Sequence, residues 1–298
     1  MQYDYSLDKI KFTGRLIRFS ALTFYVDDAP RFLTFLHHSQ FELINEYTSY
    51  KVSTYRYNFV IRKKNEIEGS LYFGCFYNGD YRESSFQPDR IVVEFNPNKS
   101  GLFVYEWLLS KIHFHILDIK TFDVAFDVPN YSTRDIKIFT ASDKMSYGNN
   151  TATTYYIAPK SRNSGRVKVY DKHIERKKLG IDIPDTLRIE CSFRALGLDY
   201  LTVTLTDDLF TELSRACNNI NSVYIRGQPI INDFVGYMLD RMTDSDCNTA
   251  LSMMSYNTKQ KYKNVIKSHY ENLNIDVPQL IIIIQKLLEP YVERTIIK

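Results

Sequence analysis

Apolar and polar residues alternate in short runs along the first two thirds of the chain, and the spacing then changes. Period-two runs predict strands over residues 15–26, 52–62 and 67–77, the last two joined by a polar turn at Lys64-Asn65. The run 90–95 (RIVVEF) predicts a short buried strand stopped by Asn96-Pro97-Asn98. Further strands are expected over 120–128, 153–157, 166–170 and 186–194. Helical spacing is expected over 31–38, entered by the acidic, proline-containing segment 27–30, and also over 102–112 and 173–179. From about Thr206 the period is helical, with Leu209, Leu213 and Ala216, then Phe234, Met238 and Met242, Val265, and the stretch 277–292. The pattern predicts an α+β fold, a mostly antiparallel sheet with helices on one face over residues 1–205. A helical C-terminal module over 206–298 follows, with a boundary near Leu205.

Three of the expected strands share a pattern. Residues i and i+2 of a strand lie on one face. In 121–128, Phe122, Val124, Phe126 and Val128 oppose Asp123, Ala125 and Asp127. In 166–172, Val167 and Val169 oppose Lys168, Tyr170 and Lys172. In 187–194, Leu187, Ile189, Cys191 and Phe193 oppose Arg188, Glu190, Ser192 and Arg194. An ordinary antiparallel sheet with one wet face accounts for each strand singly. Together they gather two Asp, a Glu, a Tyr and several cations. Asp123 and Asp127, with Ala125 between them, are expected to lie close enough to hold one divalent ion, and oxygen ligands suit Mg²⁺ or Mn²⁺. A tyrosine beside such an ion and flanked by lysines suits a nucleophile.

The composition belongs to a folded, globular chain: 298 residues, 44% hydrophobic and 24% charged. Its 23 Tyr and 19 Phe favour pleated surfaces. A net charge of +3 gives no global signal for nucleic acid, so that signal must be local. Residues 160–178 supply it. Lys160, Arg162, Arg166, Lys168, Lys172, Arg176, Lys177 and Lys178 stand against Asp171 and Glu175, eight against two, or +6. Such a cluster fits a phosphate backbone, or a solvated strand–helix junction. Four widely spaced cysteines form no C-x-x-C and suggest neither disulfides nor zinc. The N-terminus lacks a secretory apolar core, and the longest apolar run, 280–284, is far below the roughly 20 residues of a membrane span. The expectation is a cytoplasmic protein without a membrane partner.

The run Thr154-Tyr-Tyr-Ile-Ala-Pro-Lys-Ser-Arg162, then Val167-Lys-Val-Tyr-Asp-Lys172 and Glu175, resembles rolling-circle replication initiators of the Rep_trans type, from small plasmids and phages and related to conjugative relaxases. The upstream strand 121–127, the downstream Arg188-Ile-Glu190 with Arg194, and the strand end 90–99 are similar to the same family in the same order, over about 105 residues. One departure is Ala158-Pro159, where the family usually has a glycine. The resemblance implies that Tyr170 attacks a scissile phosphodiester of single-stranded or extruded double-stranded origin DNA. A 5′-phosphotyrosine and a free primer 3′-OH result. It also implies that Lys172 assists, that Asp123, Asp127 and Glu190 hold the divalent metal (Mg²⁺ or Mn²⁺), and that Lys160, Arg162, Arg166, Lys168, Arg188 and Arg194 contact DNA or orient the carboxylates. A homodimer, a host helicase and a replicative polymerase are implied partners.

Alternatives stay open at this point. Tyr155 and Tyr156 suit base stacking or plain sheet positions. His113 and His115 have the spacing of a second class of tyrosine nickases, or are ordinary histidines at a helix end. A conjugative relaxase would share the chemistry, a non-catalytic DNA-binding protein would use the same wet face only for grip, and a structural phage protein would have neither activity. Lys259, Lys261, Lys263 and Lys267 suit a phosphate-contacting helix or a solvated one.

Overall fold

The computed structural model describes residues 1–16, 42–45, 55–63, 66–76, 86–100, 103, 105–107, 114–139, 145–147, 154–157, 165–194 and 207–296. The expected helix at 31–38 and the boundary near Leu205 lie outside these residues. The chain divides into two units. One comprises Met1–Ser6, Val124–Phe193 and Val203–Gln285; the other comprises Leu7–Asp123, Arg194–Thr202 and Lys286–Lys298. The architecture is mixed α+β with extensive antiparallel sheet and a helical C-terminal region.

In the second unit the strands are β1 (Asp4–Leu16), β2 (Glu42–Asn45), β3 (Tyr55–Lys63), β4 (Glu66–Phe76) and β5 (Phe86–Phe95), in the order β2-β3-β4-β5-β1. Strand β1 lies earlier than the strand expected at 15–26, whose residues beyond Leu16 are not described. Alternation sends Ile10 and Phe12 into the core with Leu71, Ile91, Val93 and Phe95. Phe12, Phe95, Tyr105 and Tyr291 form an aromatic cluster, with Phe12 and Tyr105 stacked at 4.8 Å. Gly69 is required where β4 meets β5, because a Cβ there would sit 2.6 Å from the Glu94 carbonyl oxygen.

In the first unit the order is β6-β11-β10-β9-β8, from β6 (Phe114–Pro129), β8 (Met145–Tyr147), β9 (Thr154–Ile157), β10 (Arg166–Asp171) and β11 (Thr186–Arg194). The expected strands at 120–128, 153–157, 166–170 and 186–194 correspond to β6, β9, β10 and β11 within one or two residues, except that β6 begins earlier. Their apolar faces are buried as the alternation requires: Val124, Phe126 and Val128, Val167 and Val169, Leu187, Ile189, Cys191 and Phe193. A helix, Asp207–Ile220, packs on β10 and buries Leu213, Ala216, Cys217 and Ile220, the i, i+3, i+4, i+7 stripe of an amphipathic helix. Gly165, just before β10, takes the left-handed φ of +72° that favours glycine. Numbering helices along the chain, Pro97–Ser100 is α1, Lys172–Lys177 is α2 and Asp207–Ile220 is α3.

The helical region of this unit continues with α4 (Phe234–Arg241), α5 (Asp244–Ser252), α6 (Tyr256–His269) and α7 (Val277–Ile296). No helix is long and apolar enough to cross a membrane among the described residues. A second sheet, β13-β12-β7, is built from β7 (Ile136–Ile138), β12 (Val223–Arg226) and β13 (Tyr270–Glu271). These strands are too short to show a period in the sequence. Asp233, Thr243 and Ser255 cap α4, α5 and α6.

A buried polar network holds β7 to these helices. Lys137 is fully buried and its Nζ donates to the carbonyl oxygens of Met242 at 2.6 Å and Asp240 at 3.3 Å. The Asp244 carboxylate accepts from the Ile138 N–H at 2.7 Å and from Asn248 at 3.1 Å. Asp240 accepts from the Tyr270 hydroxyl at 2.7 Å. Burial pushes the Asp244 carboxyl up to about 6, against hydrogen bonds and the Lys137 charge that favour the ionised form.

A raised carboxyl pKa means that the folded state holds a proton the unfolded chain has released. That stability is full below the ordinary Asp value of about 4 and is lost as pH rises through about 6. An Asp244→Asn variant keeps the acceptor for Ile138 and removes the titration. Urea unfolding of both proteins from pH 4 to 7.5 is expected to show the variant gaining on the order of 2 kcal/mol relative to wild type across that range. A pH-independent difference would contradict this.

Candidate active site

Register brings the polar positions of four strands onto one surface of the first unit. Across β10 and β11, Arg166 faces Ser192, Lys168 faces Glu190 and Tyr170 faces Arg188. Across β10 and β9, Lys168 faces Tyr156 and Tyr170 faces Thr154. Strand β6 adds Asp127 beside β11.

Two clusters form on this surface. In the first, Arg188 holds Asp127 in a two-point grip, Nε to Oδ1 at 2.7 Å and a terminal nitrogen to Oδ2 at 2.8 Å. Lys172 adds a third contact, Nζ to Oδ2 at 2.6 Å. Burial opposes ionisation of Asp127, but Arg188 and then Lys172 outweigh it and hold the carboxyl below its ordinary range. In the second cluster, the Tyr170 hydroxyl donates to Glu190 Oε2 at 3.2 Å. Lys168 Nζ lies 3.7 Å from the same oxygen and 4.0 Å from the centre of the Tyr170 ring. Tyr170 is 6% exposed, yet its hydroxyl belongs to the polar surface and not to the apolar core beneath.

The sequence-derived expectations separate on this geometry. Tyr170, Lys168, Glu190, Arg188, Asp127 and Lys172 are brought together. Lys172 arrives by an unexpected route, since it opens helix α2 and does not continue the strand. Strand β10 ends because Asp171 turns inward, its carboxylate accepting from the Thr133 N–H and hydroxyl, both at 2.7 Å. Nothing in the spacing singled out Asp171 or Thr133; burial of an acid is a tertiary fact. Arg166 lies over the Tyr156 ring at 4.4 Å, whereas Tyr155 is buried on the opposite face and is a sheet residue, not a base stacker. Arg194 is exposed at the end of β11. Lys160, Arg162 and His113, and the side chain of His115, lie outside the described residues.

The expected metal set does not assemble on the residues described. Among them, no three His, Cys, Asp or Glu side chains gather closely enough to hold an ion. Asp123 and Asp127 are four positions apart on one extended strand, which at about 3.3 Å per residue separates them by roughly 13 Å, too far to share an ion. Both oxygens of Asp127 are engaged by Arg188 and Lys172, so Asp127 serves cations of the protein itself. Asp123 is half-buried on the same strand.

Arg188 is 3% exposed and pairs with Asp127. An Asp127→Asn variant is expected to lose about 2–3 kcal/mol in denaturant unfolding, because a buried guanidinium loses the carboxylate that grips it at two points. The wild-type contribution is present above the ordinary Asp pKa of about 4 and is lost as pH falls through the lowered folded value. A loss below 0.5 kcal/mol, on the order of a surface pair, would show that the grip is not structural.

The sequence matches no family model and no curated protein. Among solved structures, it is similar to the rolling circle replication initiator protein from Geobacillus stearothermophilus, with a TM-score of 0.40 and 14% identity over 78% of this chain and 90% of that chain. Likeness at that level carries neither fold nor function across to this chain.

Proposed function

We propose that the protein nicks and rejoins DNA through Tyr170 and thereby opens rolling-circle replication. The observation that carries this reading is the hydrogen bond from the Tyr170 hydroxyl to Glu190, set among cations on an otherwise polar sheet face. The motif order from Arg90 to Arg194 supports it independently.

A phenol with an ordinary pKa of about 10 is a poor nucleophile until its proton has an acceptor. Glu190 Oε2 is that acceptor. As the proton moves to Glu190, the phenolic oxygen bonds to phosphorus and the bond from phosphorus to the 3′ oxygen breaks. The 3′ oxygen takes up a proton and leaves as the primer 3′-OH, and the 5′ phosphate stays on Tyr170. The reverse sequence reseals the strand with no net loss of phosphoester bonds. Lys168, one-third exposed, covers the ring. Its shift onto an incoming phosphate uncovers the hydroxyl and neutralises charge in the transition state. Arg166 and Tyr156 extend the same surface for a single strand, by charge and by stacking. Arg188 and Lys172, committed to Asp127, fix the neighbouring backbone and lend positive potential. No step is assigned to a divalent ion.

Supercoiled DNA of the parent element, incubated with Mg²⁺, Mn²⁺ or EDTA, is expected to give a nicked product and an SDS-stable adduct that maps to Tyr170. Tyr170→Phe is expected to abolish both while leaving single-strand binding within about twofold, since only the hydroxyl is lost. Glu190→Gln is expected to slow nicking by about 10²- to 10⁴-fold, the usual range for a general base. Full nicking by Tyr170→Phe, or none by wild type, would reject the proposal; the second outcome would leave a DNA-binding protein without chemistry.

A further inference from the structure

We propose that α5 and α6 form a helix-turn-helix whose second helix enters the major groove of duplex DNA and reads A·T pairs through Asn257, Gln260 and Asn264. This site is separate from the Tyr170 chemistry and does not depend on it.

The local architecture is built for that purpose. Helix α5 has nine residues and α6 has 14, joined by the short turn 253–255. The turn is closed by the Met253 and Met254 N–H groups on the carbonyls of Ala250 and Leu251, and Ser255 caps α6. Helices α4, α5 and α6 bury Leu239, Cys247, Leu251 and Ile266 in one core with Ile230 and Tyr270. Gly236 allows the close approach of α4 to α6, for a Cβ there would meet Val265 at 3.2 Å. The inward stripe of α6, Tyr262, Val265 and Ile266, is therefore already used.

The opposite stripe is available. Asn257 and Asn264 are exposed, Gln260 is half-buried between them, and the three stand at i, i+3 and i+7 on one line. Among the described residues no hydrogen bond engages these carboxamides. A carboxamide can donate to N7 and accept from the N6 amino group of adenine's hydrogen-bonding edge, or the complementary arrangement, and that paired pattern is exposed in the major groove. Tyr256, 75% exposed, stands at the start of the same line.

Charge selects the partner. Helix α6 carries Lys259, Lys261, Lys263 and Lys267 and no carboxylate. A face that is merely solvated commonly mixes both signs. A one-sign helix flanking a row of amides matches phosphate rails on either side of base edges. At about 1.5 Å per residue α6 is roughly 21 Å long, enough to cross a groove about 12 Å wide.

The test uses the full chain. Selection from a randomised 20-base-pair duplex library is expected to enrich a short motif containing A·T pairs. Fluorescence anisotropy is then read on the enriched duplex and on a scrambled one. Asn257→Ala with Gln260→Ala is expected to weaken the enriched duplex about 10- to 100-fold and the scrambled duplex little. Lys261→Ala with Lys267→Ala is expected to weaken both and to lower the slope of log affinity against log salt by up to about 1.8. If the amide pair variant fails to fold, Asn264→Ala alone gives the same reading. Absence of an enriched motif, or wild-type discrimination in the amide variants, would overturn the proposal. Tyr170→Phe is expected to bind the enriched duplex as wild type does, so a failure of the nicking chemistry and a failure of this site are told apart.

Discussion

A guanidinium that is 3% exposed cannot remain in a sheet without a counter-charge, and Asp127 supplies it to Arg188 through two short contacts. Removal of the carboxylate would leave a desolvated cation, which is far more unfavourable than the loss of a surface pair. The register of β10 and β11 follows from the same constraint. Slipping by one residue would turn Arg188 into the apolar layer formed by Leu187, Ile189 and Cys191 and send that layer to the polar face. Tyr170 lies directly opposite Arg188, and Glu190 is the next residue on the same face. The Tyr170–Glu190 hydrogen bond thus inherits its geometry from the ion pair.

The helical region uses a similar device for a different end. Lys137 and Asp244 are buried polar groups whose bonds run mostly to backbone and to neighbouring helices. An apolar core can slide; a buried lysine bound to two carbonyl oxygens and a carboxylate bound to the Ile138 N–H and to Asn248 cannot without leaving charge unpaired. These contacts fix β7 against α4 and α5, and the core shared with α6 leaves one stripe of that helix facing solvent. Rigid placement of an outward stripe is what a reading helix requires.

Asp127 shows how a residue changes meaning between sequence and fold. By spacing it is one of two acids on a strand face, a reasonable ligand for a hard cation. In the fold it is saturated by Arg188 and Lys172, and Lys172 reaches it only because β10 stops at Asp171 and the chain turns into α2. Strand alternation cannot foresee that stop, since it comes from Asp171 binding Thr133, 38 positions away.

Strands β6, β9, β10 and β11, their buried and polar faces, and the helical character of the C-terminal region were all legible in the residue pattern. Each depends on periodicity or on local capping, and both are properties of neighbouring residues. That pattern also singled out Tyr170, Lys168 and Glu190, because alternation alone puts them on the faces opposite their apolar neighbours. Which acids meet which cations, and that Lys137, Asp171 and Asp244 are buried, came from the tertiary fold. Those outcomes depend on pairing between segments distant along the chain, and one chain's pattern of hydrophobic and polar residues carries no record of which distant segment lies opposite.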